Sequence, residues 1–92
     1  MKIVMKPIEM ISWSKIDGSI TPLRFRLKEE NKEDPQASTT VVKVNNIVLK
    51  KEEKLAGKRT VIYRCQSMMD DREKVYELKY ELETCRWFLY KV

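Results

Sequence analysis

The chain contains no histidine. That absence removes Ser-His and Cys-His nucleophile pairs, imidazole proton shuttles and histidine metal ligands, so catalysis would have to rest on carboxylates, lysine, tyrosine or cysteine. Glycine is scarce, and neither Gly18 nor Gly57 belongs to a glycine-rich phosphate loop. The two cysteines, Cys65 and Cys85, lack C-x-x-C spacing and have no histidine to complete a zinc site, so both read as buried apolar side chains in a reducing compartment. Long apolar runs are missing too. Only Ile3, Val4 and Met5 precede the interruption at Lys6-Pro7, far short of a signal peptide, and no stretch has transmembrane length. The expectation is a cytoplasmic protein with no membrane partner, no metal and no cofactor.

What is present is the composition of a folded domain: 92 residues, 42% hydrophobic and 36% charged. A chain this short buries only roughly 60–65% of its unfolded surface, so residues 1–92 form one domain and a deep, walled active site is not expected. Nineteen Lys and Arg against fourteen Asp and Glu give a net charge of +5, which favours polyanionic partners.

Strand signals recur along the chain. Ile8 to Lys15 reads as a strand burying Ile8, Met10 and Trp13, entered after Pro7, which cannot donate to a ladder. Asp17-Gly18 supplies a turn, because both residues tolerate positive φ. In Thr21 to Lys28, Leu23, Phe25 and Leu27 alternate with Arg24, Arg26 and Lys28, placing one row in the core and three cations on the other face. Glu29 to Ser38 is acidic with no large apolar residue, and reads as a solvated loop. Thr39 to Lys50 is β-branched and extended, with a bend or bulge expected at Asn45-Asn46. Lys50 to Lys58 is a charged connection ending at Ala56-Gly57, either a hairpin tip or one helical turn, Arg59 to Gln66 alternates again, and Asp70-Asp71 centres another turn.

Lys74 to Val92 holds five of the eight aromatic residues. Its period-two reading buries Tyr76, Leu78, Tyr80 and Leu82 and starts a second strand near Cys85. Its helical reading aligns Val75, Leu78, Leu82, Cys85, Leu89 and Val92, but exposes Tyr76, Tyr80 and Trp87 opposite the leucines. The expected fold is therefore all-β, a small barrel or highly curved antiparallel sheet of about six short strands. The alternative is α+β with a C-terminal helix from about Asp71.

No catalytic residue is expected. Adjacent acids at Glu29-Glu30, Glu33-Asp34, Glu52-Glu53 and Asp70-Asp71 read as solvated surface and turn chemistry, without the spaced ladder of a calcium loop. Charge is segregated, however. Residues 1–28 carry six cations and two acids, and residues 39–69 carry seven and two, whereas 29–38 is net acidic. Arg24, Arg26 and Lys28 form a row, and Lys50, Lys51, Lys54, Lys58 and Arg59 crowd one connection. If a curled sheet joined them, they would make a groove for a phosphate backbone, with Trp13, Phe25 or Tyr63 available for stacking if exposed. The expected function is a non-enzymatic accessory module binding nucleic acid or a nucleic-acid-associated protein through these residues. The alternative is a protein-interaction or homodimerisation domain using Trp87, Phe88 and Tyr90, since a strand can bury only alternate members of Trp87-Phe88-Leu89-Tyr90 on one face.

In order along the chain, Pro22-Leu23-Arg24-Phe25, the Val44 to Ile47 segment, Tyr63-Arg64, Tyr76-Glu77-Leu78 and Trp87-Phe88-Leu89 resemble a class of small bacterial all-β domains of unknown function. Some of those are encoded beside, or fused to, translesion DNA polymerases of the Y family. The resemblance spans residues 8–92. It implies a barrel-like fold and a DNA-repair accessory setting, and it carries over no catalytic residue.

Overall fold

Alternating side chains and paired turn residues build seven antiparallel strands in the computed structural model, which describes residues 1–28 and 39–92. They are β1 (Ile3–Ser14), β2 (Ile20–Lys28), β3 (Thr39–Lys43), β4 (Asn46–Leu55), β5 (Lys58–Met69), β6 (Arg72–Glu81) and β7 (Arg86–Lys91). The sheet order is β3-β2-β1-β7-β6-β5-β4, curled into a half-barrel, and no helix occurs among the described residues. The fold is all-β, and the helical alternative from Asp71 is set aside. The acidic stretch read as a loop, with its two acid pairs, lies outside the described residues.

The curl originates in two long extended segments that change partners midway. β1 pairs with β7 through Ile3 to Ile8 and with β2 through Glu9 to Ser14. Pro7 falls in the half paired with β7 alone, where β2 makes no demand on its missing amide hydrogen. The strand thus begins before Pro7 rather than after it, and a register shift with Met5 at φ 44° bends its start. The second segment is β3 with β4: β3 pairs with β2, β4 with β5, and the chain breaks at Val44 and Asn45. That break adds a strand to the expected six, and it falls one residue before the expected Asn45-Asn46 bend.

A seam of hydrogen bonds draws the two ends of the curl together at this break. Val44 N donates to Leu23 O at 2.9 Å, Asn45 N to Gln66 O at 3.1 Å, and Met68 N to Asn45 Oδ1 at 2.9 Å. Ser67 Oγ donates to Lys43 O at 2.6 Å. A hydroxyl has one proton, so the 2.6 Å contact between Ser67 Oγ and Tyr76 OH must use the tyrosine as donor. The ends of the described chain also pair, Lys2 and Val92 exchanging backbone hydrogen bonds at 2.8 and 3.0 Å.

Phe25 and Val42 enter the core from one half of the curl, and Val61, Tyr63, Cys65, Tyr76, Leu78, Tyr80, Trp87 and Leu89 from the other. The rings interlock: Phe25 meets Tyr76 edge-on at 5.6 Å, and Trp87 lies 4.7 Å from Tyr80 and 5.5 Å from Tyr63. Burial pushes Tyr63, Tyr76 and the Cys65 thiol up to about 12, so all three stay protonated, and the Tyr63 hydroxyl donates to Ile20 O.

Three local expectations are corrected. Leu23 is exposed because β2 bulges there: Ile11 opposes Arg24 while Ser12 opposes Pro22, so Pro22 takes the buried position. Lys50 to Leu55 is strand rather than a loop, the far arm of the β4–β5 hairpin, whose tip is the expected Ala56-Gly57 (φ 51° and 80°) in a two-residue turn and not a helical turn. Cys85 is exposed, since it closes the turn before β7 at φ 57° with its amide on Glu81 O, whereas Cys65 is buried as expected and neither forms a disulfide.

Candidate nucleic-acid interface

Register determines which side chains share the outer face of β1, β2 and β3. Phe25 pairs with Met10 and Val42 on the core side. Opposite pairs therefore point outward: Glu9 with Arg26 and Val41, Ile11 with Arg24 and Lys43, Trp13 with Thr21, and Lys28 with Thr39. Trp13 is 56% exposed and Ile11 63% exposed, so of the three rings named for stacking Trp13 lies at the surface rather than in the core, while Phe25 and Tyr63 are buried. The alternation that buries Ile8 and Met10 puts Trp13 on the other face, and that signal could have found it.

The row of Arg24, Arg26 and Lys28 is present, but its members differ electrostatically. Glu9 takes Arg26 in a charge-assisted pair and lies 3.5 Å from Lys28. The Arg26 hydrogen bond, aided by the charges of Arg26 and Lys28, holds the Glu9 carboxyl below the usual range against the opposing effect of desolvation. Arg24 stands in register with Lys43, and among the described residues neither has an ion-pair partner. These two are the cations of the face most available to a phosphate. Lys15 adds a third at the hairpin end, its Nζ 4.9 Å from the Trp13 ring centre. Next to it, Asp17 caps the turn by accepting the Ser19 hydroxyl and amide; those bonds, with smaller help from Lys15 and Lys50, hold its carboxyl low.

The second basic segment does not complete the groove envisaged from sequence. β2 and β4 lie toward opposite ends of the sheet order, and among the described residues the backbones of non-neighbouring strands come close only at β3 and β5, although Lys50 reaches near enough to Asp17 to help hold its carboxyl low. Pairing also divides the segment, with Lys50 and Lys54 sharing the face of Tyr63 and Arg59, and Lys51 the face of Ile62. Arg59 is paired with Glu52 and Lys51 with Glu53, each at 3.3 Å, and Lys50 lies over the Tyr63 ring at 5.7 Å. Lys58 flanks the turn.

The Trp87 to Tyr90 stretch resolves into two roles. Trp87, 7% exposed, and Leu89 are core, so Trp87 has no surface to offer. Phe88 and Tyr90 are half-buried outside the sheet, where Lys79 and Lys91 place their Nζ atoms 4.9 and 5.1 Å from the Tyr90 ring. Lys91 also lies 3.9 Å from the buried Glu77, which Arg64 binds at 2.9 Å. Long cationic stems thereby cover the outside of β5, β6 and β7.

Among the described residues the adjacent acids do not converge as pairs. Glu52 and Glu53 point to opposite faces, and Asp70 and Asp71, at φ 50° and 62°, are the central residues of a tight turn. Among the described residues no three Cys, Asp or Glu side chains converge as a metal site. Set beside known protein families, curated proteins and solved structures, the chain matches none.

Proposed function

We propose that this domain is a non-enzymatic module that binds single-stranded nucleic acid on the outer face of β1, β2 and β3. The observation that carries the reading is the alternation there of exposed Trp13 and Ile11 with Arg24 and Lys43, which carry no ion pair among the described residues. Cations follow the phosphates, and an exposed aromatic ring gives an unpaired base something to stack on. Arg26 and Lys28 add less, because Glu9 already neutralises part of their charge. A single-stranded DNA ligand would suit the repair setting implied by the resemblance to polymerase-associated domains.

Fluorescence anisotropy with a labelled single-stranded oligonucleotide, titrated across salt concentrations, tests it. Replacing Arg24 and Lys43 together by Ala should lower the slope of log affinity against log salt by about 1.4, at roughly 0.7 per phosphate contact. Trp13→Ala should weaken binding about five- to hundredfold, and Lys54→Ala should leave it unchanged. Absence of binding at low ionic strength would sink the proposal. A second reading, homodimerisation, now draws on the edge strand β4, where Ile47, Val48, Leu49 and Leu55 are exposed. It predicts a sedimenting dimer that Val48→Lys converts to monomer.

A further inference from the structure

The mouth of the half-barrel, on the inner side of the sheet, holds a cleft of about 420 Å³. Phe25, Leu27 and Val42 line it from β2 and β3, and Met69, Tyr76 and Leu89 from β5, β6 and β7. Apolar interiors are packed to crystal-like density, so an apolar recess of this size is not ordinary core. It falls in the range of small-molecule sites, roughly 300–1,000 Å³, and barrel mouths are a usual place for them. Its floor is closed to polar ligands, since the Tyr76 hydroxyl is spent on Ser67, which is itself spent on Lys43 O.

Among the described residues the lining contains one charged side chain, Lys74, and no acidic side chain. Lys74 pairs across the strands with Ser67, which places it on the same inner face as Tyr76. The connecting segment 29–38 carries nothing more apolar than Ala37 and Pro35, so its chemistry does not match the recess. An apolar slot with a single ammonium group fits an amphiphile with one anionic end.

We infer that the barrel mouth binds a fatty-acyl carboxylate, its chain against Phe25, Val42 and Leu89 and its head group on Lys74. The site lies on the opposite side of the sheet from Trp13 and Arg24, so it is independent of the nucleic-acid reading. Hydrocarbon burial drives such binding, and each added pair of methylenes should tighten it about fifteenfold until the chain outgrows the cleft.

Isothermal titration calorimetry of octanoate, decanoate and dodecanoate against the intact chain, below their micelle concentrations, is the test. The expected result is affinity rising with chain length, with a negative heat-capacity change. Lys74→Ala should weaken dodecanoate about tenfold and leave dodecanol unaffected. Thr40→Trp, at an exposed position on the rim, should block the chain while leaving the melting temperature unchanged. Any of three results overturns the inference: no carboxylate binds, dodecanol binds as tightly as dodecanoate, or binding survives both substitutions undiminished.

Discussion

Ser67 sits 1% exposed in the middle of a three-member relay, Tyr76 OH to Ser67 Oγ to Lys43 O, that fastens β3 to β5. Ser67→Ala removes the central hydroxyl and leaves two buried groups without partners, a tyrosine donor and a carbonyl acceptor. At about 1–3 kcal/mol for each orphaned group, the substitution should cost about 2–6 kcal/mol. Tyr76→Phe removes only the outer donor. Ser67 can still donate to Lys43 O, so about 1 kcal/mol is lost. In the double variant only the Lys43 carbonyl is orphaned, and the combined cost should fall short of the sum by at least about 1 kcal/mol. Urea unfolding followed by tryptophan fluorescence measures all three values. For a domain this size each kcal/mol also moves Tm by roughly 4–8 °C. Additivity within about 0.5 kcal/mol would refute the relay, because independent sites add to that tolerance. So would Tyr76→Phe proving the more damaging single change, which would place the proton donation the other way round.

Turn chemistry supplies a gain in stability rather than a loss. Ala56 occupies a left-handed position in a turn whose preferred sequence is Asn-Gly, so Ala56→Asn should raise stability by about 0.5–1 kcal/mol in the same urea assay. Alkaline pH should destabilise the fold. Tyr63, Tyr76 and Cys65 titrate near 12 when folded, against ordinary values near 10 for tyrosine and 9 for cysteine. The folded state therefore binds more protons between those values. Stability should be intact below about pH 9 and fall progressively toward pH 12, with the Tyr63 and Tyr76 tyrosinate absorbance appearing only as the chain unfolds. The two thiols should separate kinetically: a thiol reagent should label Cys85 in the native protein, and Cys65 only in denaturant.

The core was largely legible because burial imposes period two on strands, and that period survives in the sequence wherever pairing is regular. Tyr76, Leu78 and Tyr80 on β6, with Tyr63 and Cys65 on β5, follow it without interruption. Leu23 broke the pattern through a bulge beside Pro22, a residue that sheets admit only at edges, strand starts and bulges. The Lys50 to Lys58 arm was misread because its charge suits a loop as well as it suits an exposed hairpin. Cys85 was misread because cysteine is usually buried, while the demand for positive φ at the end of that turn is set by how β6 and β7 meet. The candidate interface was half legible. Arg24 was visible as one of a row, but its distinction from Arg26 depends on Glu9, 17 positions away. Trp13 was legible from the alternation within β1, whereas Lys43 joins the face only through strand register, which a single sequence does not state.

The mutual hydrogen bonds of Lys2 and Val92 bear on how the molecule reaches this shape. β4, β5 and β6 are joined by tight turns and can zip up locally, whereas β1 must find β7 across nearly the whole length of the chain. Closing so large a loop is entropically slow, which assigns the meeting of the first and last strands to a late event, on a timescale of roughly milliseconds to seconds. Joining residues 2 and 92 by a short linker and reopening the chain at the Ala56-Gly57 turn would convert that remote encounter into a hairpin, and the permuted domain should fold faster into the same sheet.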